Sequence, residues 1–118
     1  MAGREAMISI TRAEIALVLE RWTTGQLDAR EVHAWAEARF AVDAYEPEDE
    51  VANEVLACLD MLDMNLVIAQ DVPTLMLALN ARTAEEASKE LCVVPTPEAL
   101  SERRRALVDD ALYAPFCR

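Results

Sequence analysis

Two stretches of this chain, "ITRAEI" at residues 10–15 and "LDAREV" at residues 27–32, spell the same helix start. In the first, Thr11 can accept the amide hydrogen three residues on, Glu14 can reach back, and Ile10 can pack against Ile15; Asp28, Glu31, Leu27 and Val32 repeat the arrangement. Such a cap satisfies an amide group that a helix leaves unpaired in its first turn, so the grammar fixes where helices begin. Behind the first cap, Ile15, Val18, Leu19 and Trp22 form one apolar stripe at helical spacing, and Gly25 ends it. Val32, Trp35, Ala36 and Phe40 give the second helix its inward face, and the short connection predicts an antiparallel helical hairpin.

The same logic carries along the chain. In "YEPEDEV", Pro47 suits the first turn of a third helix, where a missing amide hydrogen costs little. Val51, Ala52, Val55, Cys58, Leu59 and Leu62 then fall within an arc of about 120°, with Asp49, Asn53 and Asp60 opposite and Glu50 and Glu54 nearby. Residues 64–70 read either as a short extended piece or as the end of a buried helix, after which Asp71 caps, and Pro73 helps to start, a helix through "TLMLALN". Thr83 with Glu86 begins a short helix to about Leu91. Thr96 caps a last one whose stripe is Leu100, Leu107, Val108, Ala111 and Leu112, with Pro115 as its stop. The expected fold is all-α: a compact single-domain bundle of five to six helices over residues 1–118, with 1–9 as a flexible N-terminal tail. A hydrophobic content of 53% supplies a core, while two glycines and 5% aromatics favour helices over strands.

Charge narrows the partners. The formal net charge is −11, and the 42 residues between Arg39 and Arg82 hold nine acids and no base. The rest of the chain carries 13 acids and 11 bases, so one central segment produces nearly all the asymmetry. Nucleic acid and anionic membranes reward clustered Lys and Arg, which argues against direct binding to either. No apolar run approaches the ~20 residues of a membrane-spanning helix, and "MAGREAMISI" lacks the apolar core of a secretion signal, so a cytoplasmic location is expected. Cys58, Cys92 and Cys117 contain no C-x-x-C pair, which fits small buried apolar residues rather than a disulfide framework or a zinc site.

Chemistry-bearing constellations are scarce. His33 is the only histidine; it sits off the main stripe of the second helix with no nucleophile placed beside it, and reads as a surface or boundary residue. The carboxylates show neither the Glu-x-x-His pairs of bundle metal sites nor the central Gly of an EF-hand loop. Gly3 and Gly25 build no phosphate cradle. Arg103, Arg104 and Arg105 lie among Glu98, Glu102, Asp109 and Asp110, which predicts ion pairing within their own helix. Met61, Met64 and Met76 read as core filling, and Trp22 and Trp35 as core anchors. No catalytic, cofactor-binding or metal-ligating residue is assigned, and no enzyme activity is expected.

The acidic segment has two readings. A charged face keeps a protein soluble, and most such runs do no more. Against that, the segment lacks the compensating i, i+4 lysines of self-sufficient surface helices, and like charges packed together repel. Asp43, Glu46, Asp49, Glu50, Glu54 and Asp60 are therefore candidates for contact with a basic protein partner. The stretch "ALVLERWTTGQLDAREVHAWAEARF", a helix ending in an aromatic, a Gly, then a capped helix containing Trp-Ala, resembles the opening hairpin of small helical bacterial immunity proteins of the colicin D immunity type, over about the first 40 residues. The resemblance implies a cytosolic acidic protein that binds a toxic nuclease domain and blocks its active site; it assigns no inhibitory residue. Two alternatives stay open: a helical accessory or regulatory protein or homodimer whose charge serves solubility, and a carboxylate metal-dependent enzyme.

Overall fold

Residues 7–91 and 95–117 are described by a computed structural model. Six α-helices lie among them: α1 (Arg12–Thr24), α2 (Ala29–Glu37), α3 (Glu50–Asp60), α4 (Val72–Leu79), α5 (Ala84–Leu91) and α6 (Pro97–Ala106). Single 3-10 turns occupy Ala69–Asp71 and Ala114–Phe116. Four of the five predicted caps form: Thr11 accepts from the Glu14 amide, Asp28 and Glu31 make a reciprocal box, Thr83 accepts from Glu86, and Thr96 from Ala99. Gly25 closes α1 at φ 84°, a left-handed conformation that costs glycine little. No described helix is long and apolar enough to cross a membrane.

The all-α expectation needs one correction. Ile8–Ile10 (β1) and Tyr45–Pro47 (β2) pair as a two-stranded parallel sheet, with Ile8 opposite Tyr45 and Ile10 opposite Pro47. Ile8 and Ser9, expected in a flexible tail, are therefore strand residues. Pro47 also leaves its predicted place in the first turn of α3. The residue before a proline is pushed toward extended backbone, which puts Glu46 in β2, and Asp49 takes over as cap by accepting from the Ala52 amide at 2.8 Å.

The buried residues form one cluster, built largely from Ile15, Leu19, Val32, Leu56, Leu59 and Leu75. Helix α3 packs against α1, α2, α4 and α5. Being surrounded, it buries Leu56 as well as the predicted Val51, Ala52, Val55 and Leu59, while Cys58 is only half-buried. Because α3 ends at Asp60, the helical spacing by which Met61 and Met64 read as core filling does not continue. Both are exposed, whereas Leu62, inward as projected, is buried together with Leu66 and Val67 through a run of turns. Trp22 is buried as expected; Trp35 is half-buried, with the Arg39 guanidinium 4.7 Å over its ring.

The C-terminal helix also departs from its predicted stripe. It stops at Ala106, with Leu107 as cap residue, well before Pro115. Leu100, Leu107 and Leu112 pack against the core, Val108 and Ala111 face solvent, and Tyr113 supplies the buried group. No residue of α6 itself is fully buried. Cys92 lies outside the described residues; Cys58 and Cys117 are free thiols.

Candidate acidic docking surface

The N-termini of α1, α3 and α5 meet around a hollow lined by Arg12, Asp49, Glu50, Val51, Arg82, Thr83 and Ala84. Helix N-termini carry partial positive charge and unpaired amide hydrogens, so carboxylates gather there for structural reasons. Glu48 reaches across to accept the Arg12 amide, Asp49 caps α3, and Glu86 accepts the Arg82 amide at 3.1 Å. Part of the acidic segment is thus spent on helix ends.

Arg12 organises this corner. Its Nε donates to Asp49 Oδ2 at 2.9 Å, and Nη1 donates to the carbonyls of Leu79 and Ala81, tying the start of α3 to the connection between α4 and α5. The pattern of caps and apolar stripes gives Arg12 no role. A signal was present, since a base at the first position of a helix opposes the dipole and asks for a compensating partner.

Asp71, unlike the exposed Asp49, is an acid withdrawn from the surface. Expected as the cap of α4, it makes no side-chain cap bond to that helix. Its carboxylate instead accepts both arms of Arg103 and the Ile68 amide, while Arg103 also donates to the Leu66 carbonyl. Pairing of Arg103 within its own helix is therefore replaced by a buried tertiary pair. Nearby, Tyr113 donates its hydroxyl to the Val67 carbonyl. Burial first, and then the Asp71 charge, push the Cys58 thiol up to about 11; burial, with Asp110 and Asp71 behind it, also raises Tyr113.

His33 is more enclosed than a surface residue. Its Nε2 lies 3.0 Å from the Asp60 carbonyl at the end of α3 and 3.5 Å from Asp63 Oδ1. A carbonyl can only accept, so Nε2 carries the hydrogen in that bond.

The six candidate residues now separate. Asp49 is engaged as a cap and in its pair with Arg12. Asp43 is exposed in the turns before β2, Glu46 is exposed on β2, and Glu50 is exposed at the start of α3. Glu54 and Asp60 are half-buried farther along that helix, so its acidic face is narrower than the projection implied. Asp43, Glu46, Glu50, Glu54 and Asp60 form no salt bridge among the described residues, where the ion pairs are Arg12–Asp49, Arg103–Asp71, Lys89–Glu85 and the contacts of His33. Nor do the described residues contain a group of three His, Cys, Asp or Glu side chains placed to hold a metal ion.

Compared with known protein families, curated proteins and solved structures, the chain matches none.

Proposed function

We propose that this chain is a non-enzymatic helical binding protein that captures a basic protein partner, most concretely an immunity-like inhibitor of a toxin or nuclease domain. One observation carries the reading: five candidate carboxylates, Asp43, Glu46, Glu50, Glu54 and Asp60, keep no cationic partner among the described residues, while the acids needed by the fold have one or serve as caps. An enzyme that cuts nucleic acid presents a basic cleft, and unpaired carboxylates on a rigid helical frame can fill it as a substitute polyanion. Complementary charge of this kind raises association rates by ~10 to 10³ and penalises wrong partners. The opening α1–α2 pair, read as an antiparallel hairpin, is the part that resembles the immunity proteins, and cytoplasmic residence belongs to the same proposal.

Co-expression with the reading frame adjacent to its own gene tests this. The expected result is growth arrest by the neighbour alone, rescue by this chain, and association slowed by about tenfold or more when Glu46, Glu50 and Glu54 together become Gln. Rescue with unchanged, salt-insensitive kinetics in that variant would remove the acidic surface from the mechanism. A second reading, self-association as an accessory protein, is favoured by exposed Met64 and Leu77. It predicts a dimer that persists at high salt, whereas capture through charge weakens as ionic strength rises.

A further inference from the structure

The two-stranded sheet ends in an edge suited to a further strand. Ile8 donates its amide to the Ala44 carbonyl, and Ile10 accepts from the Glu48 amide, so both isoleucines turn their main chain toward β2. By the alternation of a parallel ladder, the N–H and C=O of Ser9 between them point away from β2. Ser9 is exposed and has no hydrogen bond to another described residue. The opposite edge is closed differently: the Tyr45 amide is taken by the Val42 carbonyl, and Pro47 has no amide hydrogen to offer.

Isolated pairs of strands are marginal in water, and parallel sheets are ordinarily covered on both faces. Here Ile10 is buried at 1% exposure, while Ile8 on the same face is 55% exposed and Met7 beside it 42%. The open edge thus carries apolar side chains as well as free main-chain groups.

Charge selects the occupant. A second copy would bring another net −11 to the edge, and like-charged surfaces repel. In register with Ser9, across one strand spacing, stands exposed Glu46, which has no salt bridge among the described residues; exposed Asp43 lies just before β2. An added strand runs ~5 Å from β1, so a long Lys or Arg on it reaches this carboxylate face. We propose that the outer edge of β1 seats an extended segment of the basic partner, with main-chain bonds to Ser9, apolar cover for Ile8, and Lys or Arg side chains directed at Glu46 and Asp43. This rests on the reading above that the partner is basic, and adds how it is held.

The test uses the full chain and a short synthetic peptide of alternating lysine and valine, alongside the same sequence methylated on alternate main-chain nitrogens. Binding is followed by fluorescence anisotropy and by amide NMR at low ionic strength. The expected result is perturbation of Met7–Thr11, slowed exchange of the Ser9 amide, and affinity about tenfold or more lower for the methylated peptide. Ser9→Pro removes the outward amide without touching the ladder to β2, and should weaken binding similarly with an unchanged circular dichroism spectrum. Equal affinity of both peptides, or perturbation confined to α3, overturns strand addition while leaving capture of basic partners standing. No salt-sensitive binding of either peptide overturns both. A dimer in the absence of peptide, lost in Ser9→Pro, would place a second copy on the edge and also overturn the proposal.

Discussion

Arg103 meets Asp71 with both arms of its guanidinium, Nη1 at 2.7 Å from Oδ2 and Nη2 at 2.8 Å from Oδ1. The pair joins a helix with no fully buried residue to the start of α4, and the side chains are only 14% and 10% exposed. A bidentate pair of this kind sets geometry as well as energy. Arg103 adds a bond to the carbonyl of Leu66, whose own φ of 54° is unusual for a branched side chain.

Removing one partner leaves the other buried and unpaired. Arg103→Met or Asp71→Leu alone should lower stability by ~3–5 kcal/mol in denaturant unfolding, and the double substitution should cost less than the two singles combined. Additive losses would show that the pair is not coupled in the folded chain.

Alkaline pH should loosen the same region. Folded Cys58 holds its proton up to about 11, whereas the free thiol loses it near 9.0. Between those values the folded state binds more protons than the unfolded one, so stability falls as pH rises from 9.0 toward 11. The raised Tyr113 hydroxyl acts in the same direction. Thermal melts across this range should show the decline, and Cys58→Ala should make it shallower while leaving the share that belongs to Tyr113. At neutral pH the Cys58 thiol should also be alkylated far more slowly than in the unfolded chain, which peptide mapping would reveal.

The acids divide into those that hold the fold and those that do not. Asp49→Ala loses a cap and the Arg12 pair, with an expected cost of about 1–2 kcal/mol. Glu46→Gln and Glu54→Gln should change stability by no more than about 0.5 kcal/mol. If Glu54→Gln proved as costly as Asp49→Ala in chemical unfolding, this division would be wrong.

Two positions with left-handed backbone give opposite expectations. Gly25 at φ 84° has open space around an added Cβ, so Gly25→Ala should destabilise by ~1 kcal/mol through conformation alone. Exposed Ala41 sits at φ 57°, and Ala41→Gly should be neutral or stabilising by up to ~1 kcal/mol. The expected pair of outcomes is a lowered melting temperature in Gly25→Ala and an unchanged or raised one in Ala41→Gly.

Four helix starts and the acidic bias are local properties of the chain. Each cap at Thr11, Asp28, Thr83 and Thr96 bonds an amide three residues away, a contact contained in the local pattern. Which carboxylates remain unpaired depends on contacts between distant parts of the chain. Asp49 and Glu54 look alike in sequence, yet Arg12, 37 residues from Asp49, takes the first and leaves the second. Asp71 reads as a helix cap until Arg103, 32 residues on, claims it. Ile8–Ile10 becomes a strand only because Tyr45–Pro47 is brought alongside, a pairing that three-residue segments cannot announce. Local bonds follow from neighbours in the chain, whereas ion pairs and strand partners depend on how the apolar faces of α1, α3 and α4 pack and what that packing brings together.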